Sequence, residues 1–138
     1  MKRLFSISFF LLLAMAAFSQ TKLTVFYKFA NIVEGYDHDT KTEVFIDGES
    51  VGTSGVAAES KGGTVTVNVP MGEYNLRVVN YAIYEGEWEE HTIDNEYSID
   101  CIYETTHKFG KKPEKLYLLF DIDQGTLVSW KKPVKVKK

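Results

Sequence analysis

Four side chains with metal-ligating atoms lie close together in the sequence, at Glu87, Glu89, His91 and Asp100. Alternate residues of a strand share one face, and a two-residue turn at Asp94-Asn95 would place Asp100 opposite Glu89. Carboxylate oxygens are the ligands of hard cations such as calcium. The pattern therefore predicts an oxygen-rich patch that could hold a cation. The simpler interpretation is a solvated acidic face that lysines balance, without bound calcium.

The other polar clusters do not match any catalytic or metal-binding motif. Asp37-His38-Asp39 and the pair Asp121 and Asp123 lack the spacing of a twelve-residue calcium loop. The three histidines lack zinc spacing, and the sequence has neither a nucleophile elbow nor a phosphate loop. We therefore expect no catalytic residues, no cofactor and no enzymatic activity. A small hydrolase that uses paired carboxylates is the third hypothesis for function.

Aromatic residues offer a second kind of site. If they are exposed together, Tyr81, Tyr84 and Trp130 could form a platform on which a sugar or a partner stacks. The core of a β-sandwich uses the same residue types, and this is the interpretation that we favour. A carbohydrate-binding module is accordingly the second hypothesis.

The single cysteine excludes an internal disulfide. Cys101 shares a predicted strand face with Tyr97, Ile99 and Tyr103. We expect a buried, unreactive thiol, because a nucleophile needs an accessible position and a base.

The elements that must position these residues are strands, since apolar residues alternate with a period of two and no 3.6-residue period is sustained. Turn residues separate the strands at hairpin spacing, which predicts one antiparallel β-sandwich of eight or nine short strands with a transthyretin- or immunoglobulin-like shape. Loops are expected at Asn31–Lys41, Thr53–Gly63 and Thr105–Glu114, and a bulge or strand end near Val79. Strands are expected at Leu23–Phe29, Thr42–Ile46, Glu49–Gly52, Thr64–Val69, Tyr74–Val78, Glu87–Ile93, Glu96–Tyr103, Leu116–Ile122 and Thr126–Trp130.

The first nineteen residues have the layout of an export signal. Lys2 and Arg3 precede an apolar run from Phe5 to Phe18, which closes on Ala17-Phe18-Ser19, a small-x-small cleavage pattern. We expect cleavage before Gln20 and a periplasmic or extracellular location. The run is shorter than the roughly 20 residues of a spanning helix.

The predicted organisation is a signal peptide at residues 1–19, a sandwich domain at 20–130 and a basic tail at 131–138. Removal of Lys2 and Arg3 with the signal changes the net charge from −3 to −5. Since the tail holds five lysines, the domain itself carries −10. Such an acidic body argues against a nucleic-acid partner.

Two segments resemble PEGA-type domains over residues 43–94. Val44–Thr53 contains the Asp47-Gly48 hairpin, and Val67–Val78 contains the Pro-x-Gly-Glu-Tyr turn from Pro70 to Tyr74. Trp88–Ile93 would then be the next strand. PEGA-type domains are small β-sandwich modules of exported proteins without catalytic residues. The resemblance implies an accessory or structural module of the bacterial cell envelope, which contacts an envelope protein or a surface glycan.

Overall fold

The computed structural model describes residues 20–135, and it confirms the all-β fold, with 62% strand and 5% helix. Ten strands in this range form two sheets. They are β1 Gln20–Ala30, β2 Asp39–Ile46, β3 Glu49–Thr53, β4 Ala57–Ala58, β5 Gly63–Pro70, β6 Gly72–Tyr84, β7 Glu87–Glu90, β8 Ile102–Phe109, β9 Glu114–Asp121 and β10 Gly125–Ser129, with 3₁₀ turns at Glu59–Lys61 and Ile93–Asn95.

The first sheet has the order β10-β9-β1-β5, so β1 lies inside it between two partners. β1 pairs antiparallel with β5 and parallel with β9, in a register that sets Leu23 beside Glu114. The expected alternation is present, because Leu23, Val25 and Tyr27 are buried. The sheet is mixed, because β1 and β9 are parallel, so the pairing is not wholly antiparallel as expected, while the all-β architecture is as predicted.

The second sheet is built around β6, the longest strand. One side of β6 pairs with β2. The other side pairs first with β8, over residues 72–79, and then with β7, over residues 81–84. The bulge expected near Val79 is absent from this strand, whose register against β2 is continuous from Leu76 to Ala82. The change of apolar phase instead marks the point where the edge partner changes from β8 to β7.

The predicted hairpin at Asp94-Asn95 is wrong. β7 turns back onto β6 through Glu85 and Gly86, whose positive φ angles of 52° and 83° suit a two-residue turn. Residues 93–95 form a 3₁₀ turn, and the loop expected from Thr105 is largely strand β8. The Asp47-Gly48 turn is present as expected, with φ angles of 48° and 84°.

The core lies between the two sheets and includes the one cysteine. Cys101 is fully buried, which confirms the expectation, although it precedes β8 rather than lying within a strand. Within the described range, no helix is long and apolar enough to cross a membrane. The predicted signal peptide and the last three residues of the tail lie outside that range.

Candidate ligand-binding site

A pocket of about 200 Å³ opens beside the loop that joins β1 to β2. Because β1 and β9 are parallel, their carboxyl ends reach the same edge of the sheet. Ile32, Val33 and Tyr36 follow β1, and Ile122 follows β9; all four line the pocket. The opposite wall comes from the segment between β7 and β8. The mixed sheet thus brings the segments after β1 and β9 to one edge, where the segment between β7 and β8 from the other sheet meets them.

Two buried polar side chains form the floor of the pocket. Glu59 begins the 3₁₀ turn after β4, and His91 follows β7. Both side chains are only 3% exposed, and Glu59 Oε1 lies 3.4 Å from His91 Nε2. Burial of ionisable groups costs free energy unless they are neutral or well paired. The pair must therefore be neutral or paired, and it places two polar groups at the base of the cavity.

Asn80 fixes the tautomer of His91. Asn80 Nδ2 lies 3.1 Å from Thr42 Oγ1 and 3.3 Å from the Lys41 carbonyl oxygen, so this atom is the donor end of the amide. Asn80 Oδ1 therefore accepts from His91 Nδ1, at 2.8 Å. The neutral ring then presents the lone pair of Nε2 to Glu59.

Burial shifts the pKa of the two groups in opposite directions. Burial, with a smaller contribution from the charge of Asp37, raises the pKa of Glu59 from 4.5 to about 7. Burial, with a smaller contribution from His38, lowers the pKa of His91 from 6.5 to about 4. Between these values Glu59 holds a proton and His91 is neutral. The floor is uncharged in mildly acidic solution and becomes anionic above neutral pH.

Aromatic rings form the walls above this floor. The ring of Tyr97 lies 4.4 Å from that of His91 and 6.0 Å from that of His38, in edge-to-face arrangements. Tyr36 continues the series, with its ring 6.2 Å from that of His38. Phe29 stacks on His91 at 5.6 Å from the core side. Edge-to-face contacts are favourable, and they hold successive rings at steep angles around the cavity.

Hydrogen bonds fix the loop and the 3₁₀ turn to each other. The backbone N–H of Glu59 donates to the His38 carbonyl at 2.9 Å. Asp37 accepts from the Ser60 backbone N–H at 2.9 Å and from the Ser60 hydroxyl at 2.6 Å. These bonds to Ser60 lower the pKa of Asp37. The aromatic wall at His38 and the floor at Glu59 are thus held in one arrangement.

The segment that carries Tyr97 is closed at its base by backbone hydrogen bonds. The N–H of Cys101 donates to the His91 carbonyl at 2.8 Å, and the N–H of Asn80 donates to the Cys101 carbonyl at 3.0 Å. The hydroxyl of Tyr97 donates to Glu89 Oε1 at 2.8 Å. Residues 91–101 therefore form a loop with both ends on β6 and its aromatic ring anchored to β7.

The four side chains of the predicted cation patch do not come together. His91 is buried in the floor, Glu89 accepts from Tyr97, and Asp100 accepts from the Ile93 backbone N–H at 2.9 Å. Glu87 is exposed at the start of β7, opposite Tyr84. Across residues 20–135 no group of three or more His, Cys, Asp or Glu side chains is arranged to hold a metal ion. The prediction failed because it depended on the Asp94-Asn95 hairpin.

The three aromatic residues of the predicted platform are also separate. Tyr81 and Tyr84 are three residues apart on β6, so they point to opposite faces, and Tyr84 is 57% exposed. Trp130 stacks flat on His107, with ring centroids 4.1 Å apart, and its indole N–H donates to the Tyr103 hydroxyl at 3.2 Å. These residues share no surface on which a sugar could stack.

The most informative residue of the site, Glu59, was missed in the sequence. It lies in a stretch that reads as a small polar loop, and an isolated glutamate carries no periodic signal there. Tyr97 and His91 were expected on two faces of a hairpin that does not form. The one sequence feature that pointed to this part of the chain was Asp37-His38-Asp39, a polar cluster at the start of β2.

A scan against protein-family models gives no match, and neither does a search of curated proteins. The resemblance to PEGA-type domains therefore stays a prediction.

Proposed function

We propose that this chain is an exported, non-catalytic accessory module of the bacterial cell envelope, and that it acts by holding a small ligand in the pocket floored by Glu59 and His91. The observation that carries the proposal is this floor: two ionisable side chains, 3% exposed, at the base of an aromatic-lined cavity. Concave sites with an apolar lining and a few convergent polar groups are typical of ligand binding. Groups with shifted pKa values concentrate at such sites.

The contacts of His91 favour binding over catalysis. Ser98 also lines the pocket, so a serine, a histidine and a glutamate are near one another. A base that activates serine needs a free ring nitrogen, but Nδ1 of His91 is bonded to Asn80 and Nε2 faces Glu59. Burial raises the pKa of the Cys101 thiol, which keeps that group protonated and a poor nucleophile.

Export is tested by expressing the full chain in a bacterial host and sequencing the N-terminus of the protein in the envelope and medium fractions. We expect the mature protein to begin at or near Gln20, after the Ala17-Phe18-Ser19 pattern. Recovery of protein that retains Met1, in the cytoplasmic fraction alone, would refute the export part of the proposal.

Binding is tested by following the ring resonances of His91 and Tyr97 by NMR, while organic cations, neutral sugars and small carboxylic acids are added in turn. At least one class should shift both rings in the wild type. Ser98→Trp should abolish these shifts by filling the opening, whereas Val128→Trp, on strand β10, should leave them unchanged. If no class shifts the rings, the pocket is not a ligand site.

A further inference from the structure

We propose that the pocket binds an alkylammonium ion, whose charged head lies against the carboxyl group of Glu59 and among the rings of Tyr36, His38 and Tyr97. This inference rests on the proposed function and adds the chemical class of the ligand. It is carried by three features: a buried carboxyl group that has no donor once it is ionised, the surrounding rings and the acidity of the neighbourhood.

When it is ionised, the carboxylate of Glu59 lacks a hydrogen-bond donor from the part of the chain that the structure describes; when it is protonated, its O–H faces the lone pair of His91 Nε2. Its side chain is 97% buried, yet its nearest polar neighbour, His91 Nε2 at 3.4 Å, presents a lone pair when the ring is neutral. Buried carboxylates are normally satisfied by donors or a positive charge. Because Glu59 lines the cavity, a cationic ligand could supply what the protein does not.

The aromatic walls suit the same ligand. The faces of tyrosine rings carry negative electrostatic potential and attract cations within about 6 Å of the centroid. Successive rings from Tyr36 to His38 to Tyr97 stand edge-to-face, at interplanar angles of 70° and 85°. Several rings at steep angles around one cavity allow a rounded ammonium head to contact more than one of them. Quaternary ammonium recognition commonly uses such a cage.

The charged groups around the pocket also favour a cation. Asp37 raises the pKa of Glu59 by repulsion, Glu89 stands behind Tyr97, and Glu96 lines the pocket. Burial raises the pKa of both Tyr97 and Cys101, so these two groups remain neutral. His38 and His91 are the titratable bases that face Glu59. An anionic ligand would meet the carboxyl groups of Glu59 and Glu96 in the lining.

A neutral sugar fits the site less well. Sugars are held by many directional hydrogen bonds, but the hydroxyl of Tyr97 already donates to Glu89, and Nδ1 of His91 already donates to Asn80. Ile32, Val33 and Ile122 offer only apolar contact, which leaves the hydrogen bonds to a sugar to the other polar lining residues, among them Ser98 and Glu96.

The test compares three probes on the mature chain by calorimetric titration: choline, its uncharged carbon isostere 3,3-dimethylbutan-1-ol, and glucose. Choline should bind at least about tenfold more tightly than the isostere at pH 8, since only choline gains from the carboxylate and the ring faces. Its affinity should fall about tenfold from pH 8 to pH 6, because Glu59, with a pKa of about 7, is about nine-tenths ionised at the first pH and one-tenth at the second.

Matched variants assign the effect to residues. Glu59→Gln should weaken choline binding about tenfold at pH 8 and remove its pH dependence, whereas His38→Gln should keep the pH dependence. Tyr97→Leu should weaken binding about three- to tenfold and Tyr97→Phe much less, because phenylalanine keeps the ring face. The pH dependence of the wild type serves as a readout that requires no variant to fold.

The outcomes separate the two proposals. Equal affinity for choline and its isostere would overturn the cation inference, and so would a pH dependence that His38→Gln removes. Glucose binding without choline binding would also overturn it, while leaving the chain a binding module. If none of the three probes shifts the rings of His91 and Tyr97, the cation inference fails; the wider panel of ligand classes then decides the proposed function.

Discussion

Glu59 and His91 affect the pH dependence of folding in opposite directions. The folded chain keeps a proton on Glu59 that the unfolded chain releases, so this group makes stability fall as the pH rises from 4.5 to about 7. The unfolded chain binds a proton on His91 that the folded chain does not, so this group makes stability rise from pH 4 to 6.5. Between roughly pH 4.5 and 6.5 the two effects cancel, because both states hold one proton on the pair.

Single substitutions should reveal the pH dependence that each of the two groups gives to the free energy of unfolding. Glu59→Gln leaves the contribution of His91, so the stability of the variant should rise by about 3 kcal/mol from pH 4 to 6.5. His91→Gln leaves that of Glu59, and stability should fall by about 3 kcal/mol from pH 4.5 to 7. Urea unfolding at half-unit pH steps measures both, with Glu96→Gln as an exposed control. Identical pH profiles in wild type and variants would contradict the assignment.

The thiol of Cys101 should be protected by the fold. It is fully buried and its pKa is raised by burial, so a thiol reagent should react much more slowly with the native protein than with protein in urea. Cys101→Ser should cost about 1–3 kcal/mol, because the core offers the hydroxyl no prepared partner. Stopped-flow labelling and urea unfolding check the two statements. Equal labelling rates in the native and unfolded states would show that the thiol is accessible.

At the residue scale, burial was predictable where it followed the strand pattern and unpredictable where it did not. Cys101 lies among alternating apolar residues, so its burial could be inferred from the sequence. Glu59 is buried because distant parts of the chain cover it, and only the tertiary structure brings His91 and Asp37 to it. A glutamate that is buried in this way has no local signal in the sequence.

Among the elements, β3 packs unusually close to β5 at one glycine. A Cβ atom on Gly52 would lie 2.5 Å from Val67 Cγ1, a distance that real Cβ atoms do not show. Gly52→Ala should therefore destabilise the protein by about 1–3 kcal/mol through overpacking. Gly55→Ala, three residues later, meets nothing within 4 Å and should be nearly neutral. Thermal unfolding of both variants tests this, and equal melting temperatures would contradict the close approach.

The strand pattern predicted the elements better than their partners. Alternation identified β1 and β5, a nearly continuous apolar run identified β9, and Asp47-Gly48 identified its turn correctly. It could not show that β6 changes its edge partner from β8 to β7, because alternation along a strand does not say which strand it pairs with. Asp94-Asn95 is a common turn sequence, but the chain turns at Glu85-Gly86 instead. The candidate site lies in the segment that this error misplaced.

At the scale of the whole molecule, the sandwich was predictable and its mixed sheet was not. A period of two and frequent turns indicate strands that are half-buried, which is sufficient to predict two packed sheets. The same period is compatible with either parallel or antiparallel neighbours. The pocket depends on the strand direction, which the sequence pattern does not determine. The parallel pair β1 and β9 places the segments that follow the two strands, and that line the pocket, at one edge of the sheet.

The parallel pairing of β1 with β9 also determines when the protein can fold. β1 is the first strand of the domain, but its partner starts at Glu114, so the first sheet cannot form until most of the chain is available. Such a high contact order predicts slow folding and leaves the growing chain unstructured for longer. A chain ending at residue 113 should therefore give the circular dichroism spectrum of an unfolded protein, and one ending at residue 130 should fold. For the export proposed above this delay would be useful, because a translocation channel that accepts only extended polypeptide would receive the chain before the sandwich closes.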